Sequence, residues 1–278
     1  MKTFVIDAYL DNCIVLPEHT FGLTVIDAIR YVNWMAGKKV YDFVLCDRVF
    51  TTSRFDYLTN DHVPVGGVGF VLQWLRGMGI DEITPLNIPQ VLWEKCRRSV
   101  CIASESELSG RYMSKSVTVI KDPTNGPICC PTSDRGEPRF LTGWVDGIIG
   151  EWRCFVYDRQ LVGIQNYSGD PFIVPDKGYI ESVINVYPGI TYTLDVMVYA
   201  NPVHPNGKPL TDILELHEFF ACALFGFADY ETLLQMHVAA IDDILASRIQ
   251  PTRPVTKLSR DDLLSSPSPE LSALPEFL

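Results

Sequence analysis

The sequence predicts a mixed α+β protein, and three observations predict it. Strand-like and helix-like segments alternate through the first hundred residues, the pattern of an open α/β layer. Between residues 150 and 219 the chain is mostly apolar strand, broken by Gly-Asp and Pro-Asp turns. A strongly amphipathic helix, ADYETLLQMHVAAIDDILAS, then occupies 228–247.

Taken in order, KTFVIDAYL is a continuous apolar run and reads as a buried strand. LTVIDAIRYVNWMAG repeats apolar residues near helical spacing and stops at a glycine. YDFVLCD is a second short strand. VPVGGVGFVLQWLRGMGI gives a glycine turn, a helix over 68–77 and a glycine stop. Gly66, Gly67 and Gly69 do not have the GxGxxG or GxxxxGK[ST] spacing, so they read as a turn and not as a phosphate loop. NIPQVLWEKCRRSV is a short helix with a proline near its start. KSVTVIKDP reads as a strand carrying Lys115 and Lys121, and TNGPICCPTSDRGEP as a turn-rich loop. FLTGWVDGIIGEW leads into the strand of Arg153. IESVINVY is a compact helix ended by Pro188-Gly189. TYTLDVMVYA and TDILELHEF pair as strands across the connection NPVHPNGKPL. After Arg248 proline and serine recur without periodicity, so 249–278 is expected to be a mobile tail. The expected division is 1–100, 101–248 and that tail.

Composition narrows the function. A chain of 278 residues is long enough for a large core, and 47% hydrophobic with 21% charged residues is ordinary for a globular protein. The net charge of −11 argues against bulk nucleic-acid binding, which needs a surplus of Lys and Arg. Eight cysteines form no CxxC pair, which disfavours a structural zinc site. The N-terminal segment has the character of a strand and not of a signal peptide, and no apolar stretch reaches membrane-spanning length. The expectation is a reduced, cytoplasmic, soluble protein.

The stretch 151–226 carries the chemistry. Acidic residues inside apolar strands are costly to bury without a partner. Asp195 lies between Leu194 and Val196, and Glu215 and Glu218 flank His217 in ELHE. On a strand Glu215 and His217 share a face and Glu218 points away. Asp170 and Asp176 sit in turns, where local hydrogen bonding is the simpler account. His19, His62, His204 and His237 form no metal-ligand spacing.

These motifs, in this order, resemble the ATP-grasp superfamily, and within it a phage and bacterial branch of uncharacterised ATP-grasp domain proteins. The resemblance rests on GEWRCFV (150–156), YSGD (167–170), PD (175–176), LDV (194–196) and ELHE (215–218), with Gly226 following. It implies two α+β lobes holding ATP between antiparallel sheets, behind an N-terminal pre-ATP-grasp domain. It implies an ATP-dependent ligase that joins a carboxylate to an amine through an acyl phosphate. On the same resemblance Lys121 contacts ATP phosphates, Trp144 and Val145 lie near the adenine, and Arg153 faces the phosphates or the reacting carboxylate. Asp195, Glu215 and His217 would hold Mg2+, or Mn2+, because the family's E-x-N-D is E-L-H-E here and Mg2+ disfavours nitrogen ligands. The substrate would be a small-molecule, amino-acid or peptide carboxylate. A degenerate nucleotide-binding or interaction protein is the alternative. A nucleic-acid ligase ranks below both, since VIKDP lacks the K-x-D-G spacing.

Overall fold

The computed structural model describes residues 1–11, 14–17, 20–47, 58–104, 110–121, 125–128, 137–200 and 208–247. The expected tail, most of the 201–210 connection, Cys13, Cys129, Cys130, His19 and His204 lie outside them.

Among the described residues, the strands form three four-stranded sheets. In the first, β1 (Thr3–Asp11) is flanked by parallel β3 (Asp42–Asp47) and β4 (His62–Val65), and pairs antiparallel with β2 (Ile14–Pro17). Buried on both faces, β1 is apolar almost throughout, as a central parallel strand must be; Phe4, Val5, Ile6 and Ala8 are all buried. Helix α1 (Thr20–Ala36) makes the crossover from β2 to β3. Helix α2 follows β4 at Val68–Gly77, the span the sequence predicts, and buries Phe70, Val71, Trp74 and Leu75. It ends because Gly79 takes a left-handed φ of 79°, letting its N–H reach Arg76 O and the Ile80 N–H reach Leu75 O.

The second sheet has the order β5-β8-β6-β7, from β5 (Val100–Ala103), β6 (Tyr112–Lys115), β7 (Gly126–Ile128) and β8 (Arg139–Gly143). Here the sequence reading needs two corrections. The part of KSVTVIKDP after Lys115 that the structure describes, 116–121, is not a strand: β6 ends at Lys115, and the Ser116 hydroxyl accepts the N–H groups of Thr118 and Val119. A serine that satisfies its own following backbone offers an alternative to the ladder, so a turn wins over the apolar pattern. Lys121 therefore sits on a turn, with φ of 52°. The loop read over 124–138 also contains β7, which pairs with β6.

The third sheet is antiparallel, in the order β10-β9-β11-β12: β9 (Ile148–Tyr157), β10 (Gln160–Gly169), β11 (Thr191–Tyr199) and β12 (Leu210–Glu218). One face (Trp152, Cys154, Val156, Leu194, Val196, Val198) packs on helix α3 (Lys177–Val186) through Ile180, Val183 and Ile184. Asp176 caps that helix by accepting the Tyr179 N–H at 3.2 Å, and the helix ends before Pro188-Gly189 as expected. Helix α4 (Tyr230–Ser247) then returns to the first sheet, where Leu233, Leu234, Met236, Ala240 and Ile241 share a core with Phe4, Val5 and Ile6.

Candidate active site

The opposite face of the third sheet carries the polar residues. Register brings them together: Asp195 pairs with Arg153 on β9 and with Glu215 on β12. Directly paired residues in an antiparallel sheet project to one side, so an arginine and two carboxylates line up across three strands. A bulge on β12 follows at once, since Val196 pairs with Ile213 and leaves Leu214 unmatched. Bulges re-aim side chains near sites, and Leu214 lines the cavity described below.

Arg153 and Asp195 form a buried bidentate pair, Nε to Oδ1 at 2.8 Å and Nη2 to Oδ2 at 2.7 Å. Arg153 Nη1 donates to Ala223 O at 2.9 Å. The guanidinium carbon lies 5.0 Å from the Phe225 ring centre and 5.7 Å from that of Tyr167, and those two rings stack at 5.0 Å. Every guanidinium nitrogen is thus committed to the protein, so Arg153 orients Asp195 and ties it to the 222–227 loop.

His217 Nε2 lies 3.5 Å from Asp195 Oδ2 and 3.3 Å from Glu215 Oε1. Lys115 Nζ contacts Glu215 Oε2 from β6 of the second sheet. Burial pushes the Glu215 carboxyl up, but His217 and Lys115 more than offset it and hold it well below the usual carboxylate range. Burial lowers the His217 imidazole, while its hydrogen bonds to Asp195 and Glu215 raise it, to about 9. With no cation beside it, His217 is therefore an imidazolium at neutral pH, and a metal ion would have to displace its Nε2 proton to use that nitrogen as a ligand. Burial, then Asp195 and Glu151, push the Tyr167 phenol up, leaving it a donor.

Next to this cluster, a cavity of about 290 Å³ opens between the second and third sheets. Met113, Met197, Leu214 and Ile148 give it apolar walls; Thr142, Gly143, Trp144 and Val145 line it too, and its charged lining residues are Arg98, Lys115, Glu151 and Glu215. Outside, Asp146 accepts from Trp144 Nε1 at 2.9 Å, and Arg111 lies over the indole at 4.3 Å.

The sequence-selected residues fall into three groups. Asp195, Glu215 and His217 converge, with ligand atoms all within 4.8 Å of one another, and Arg153 joins them. Trp144 and Val145 border the larger cavity. Lys121 lines a separate 60 Å³ hollow behind Glu215 and His217, which it shares with Lys115. Glu218 accepts the Leu86 N–H at 2.8 Å and borders the same hollow. The sequence reading missed Lys115 and Glu151 as site residues. Glu151 was findable, standing two positions before Arg153 and so on the same strand face.

Residues 119–233 match the family described as ATP-grasp domain, R2K clade family 2. No curated protein matches the chain. Among solved structures, an ATP-grasp RimK domain protein from Sphaerobacter thermophilus is 14% identical, covers 88% of this chain and 100% of its own, and has a TM-score of 0.41. D-alanine–D-alanine ligase from Bacillus anthracis, complexed with ATP, is 12% identical over 88% of this chain and 98% of its own, with a TM-score of 0.45. N5-carboxyaminoimidazole synthetase from Staphylococcus aureus, complexed with ADP, is 11% identical over 86% and 77%, also at 0.45. The family match spans β9 to β12, the strands that hold the carboxylates and Arg153, and with two antiparallel sheets facing across the cavity the chain has the ATP-grasp fold.

Proposed function

We propose that the protein is an ATP-dependent ligase that couples a carboxylate to an amine or related nucleophile through an acyl phosphate. One observation carries this reading: an apolar-walled cavity of about 290 Å³ is bordered by Lys115 and Glu215, and Glu215 in turn meets His217 and, within 4.8 Å, Asp195. The adenine would rest among Met113, Met197 and Leu214 beside Trp144 and Val145. Lys115, and Lys121 behind it, would offset phosphate charge.

The donor set suits a divalent cation: two carboxylate oxygens and one imidazole nitrogen lie within 4.8 Å. The nitrogen favours Mn2+ over Mg2+. Asp195, Glu215 and His217 would hold the ion, which would supply positive charge to offset that of the nucleotide phosphates. Arg153 keeps the Asp195 carboxylate in one orientation. In the proposed reaction a substrate carboxylate oxygen attacks the γ-phosphorus and ADP leaves. The amine nitrogen then attacks the acyl carbon, phosphate leaves, and the amine releases a proton. The proposed substrates are small-molecule, amino-acid or peptide carboxylates. The proposed setting is the cytoplasm, within a phage and bacterial branch, with a leading domain at 1–100 and the ligase domain at 101–248.

Calorimetry with ATP and Mn2+ or Mg2+ tests the site, with Glu215→Gln as the control. No nucleotide binding, or binding indifferent to Glu215→Gln, defeats the assignment. A nucleotide-binding protein without catalysis is the second reading, because His217, Lys115 and Arg153 already supply the carboxylates with cationic partners. ADP and phosphate release with amino acids and peptides separates the two.

A further inference from the structure

Helix α1 buries Val25, Ile26, Ala28 and Ile29 against the first sheet and α4. Its other face should be polar in an isolated subunit, and it is not. Leu23, Tyr31, Trp34 and Met35 are 52%, 45%, 75% and 62% exposed. With Asp27 and Arg30 they occupy one face at spacings of three and four residues. Four large apolar side chains exposed on one helix face form the kind of patch that marks an interaction surface.

The arrangement along the face identifies the occupant. Asp27 and Arg30 stand at the centre, 3.6 Å apart and both exposed, with Leu23 on one side and Trp34 on the other. We propose that α1 is an isologous dimer interface, packing antiparallel against α1 of a second copy of this chain. A two-fold axis midway between Ala28 and Ile29 sets Asp27 opposite Arg30 of the second copy. The same axis sets Leu23 opposite Trp34 of the second copy. One symmetry operator satisfies the charges and the apolar groups together, which is what a self-complementary surface requires. A partner recognised by one sign of charge would leave either Asp27 or Arg30 opposed by its like.

The helix has 17 residues, so it offers a contact about 25 Å long. One helix per subunit lies at the small end of stable interfaces, so association is expected with a Kd on the order of 10 μM.

Sedimentation velocity of the full chain from about 1 to about 200 μM brackets that range. The weight-average coefficient is expected to climb from monomer to dimer. Asp27→Arg and Arg30→Asp each place like charges across the axis, and each should weaken association at least about tenfold. Mixed in equal amounts, the two variants present opposite charges to one another, and the dimer should return. Trp34→Glu should remain monomeric, with circular dichroism unchanged from the parent chain. A parent chain that stays monomeric throughout overturns the proposal. So does a dimer that survives both charge variants and Trp34→Glu, since it must use another face.

Discussion

Replacing Arg153 with methionine strands Asp195 in the interior. The two side chains are 8% and 2% exposed, and removing one partner of such a pair costs about 3–5 kcal/mol. Two local features move the figure within that range. Ala223 O loses its donor, which adds about 1 kcal/mol or more. His217, charged and 3.5 Å from Asp195, remains to compensate part of the stranded charge. The expected loss is about 3–4 kcal/mol, or a fall in Tm of roughly 10 °C for a chain of this size. Urea unfolding followed by tryptophan emission measures it. Adding Asp195→Asn to the same chain removes the stranded charge and should restore about 2 kcal/mol. A single variant that loses less than about 1 kcal/mol refutes the reasoning. A double variant no more stable than the single one refutes it as well.

Other perturbations probe other parts of the molecule. His237 is buried among aromatic rings, and burial alone lowers its imidazole to about 4. The unfolded chain therefore takes up this proton first as pH falls, and stability drops between about pH 6.5 and pH 4, by about 2 kcal/mol at about pH 5; urea midpoints should show the slope, and His237→Leu should flatten it. Lys115→Met should raise the Kd for ATP about tenfold, whereas Lys121→Met, on the turn behind the cluster, should change it less than about threefold; equal effects in calorimetry would contradict the different placement of the two lysines. His217→Asn should shift cation preference from Mn2+ toward Mg2+ in the same titration, because an amide oxygen replaces the nitrogen donor. Gly163→Ala places a Cβ 2.5 Å from the Phe227 ring, which stacks on Phe155 at 4.4 Å; a thermal melt should show a loss of about 1–3 kcal/mol, and an unchanged Tm would mean that the ring moves freely.

The strands of the site were legible because burial and period agree along them. TLDVMV and ILELHE are apolar enough to be strands, and the acids interrupt them on one face. Lys121 shows where legibility failed. VTVI has the composition of a strand, but Ser116 and Asn125 take the backbone N–H groups of this stretch, and Asn125 Oδ1 accepts from Ser116 N at 2.7 Å. Pairing with distant strands was also beyond the pattern. Nothing local to Lys115 states that it will meet Glu215, a hundred positions away. The commitment of Arg153 to Asp195 depends on the register of β9 against β11, which no spacing within either strand encodes.

The seating of α4 on β1 bears on the order in which the protein takes shape. Phe4 packs against His237, and Lys2 reaches Asp242. Strand β1, made well before α4, thus waits for the last described helix before this flank is sheltered. Until then it is a natural client for a chaperone, and synthesis that halts within α4 would leave open the part of the first layer that α4 covers.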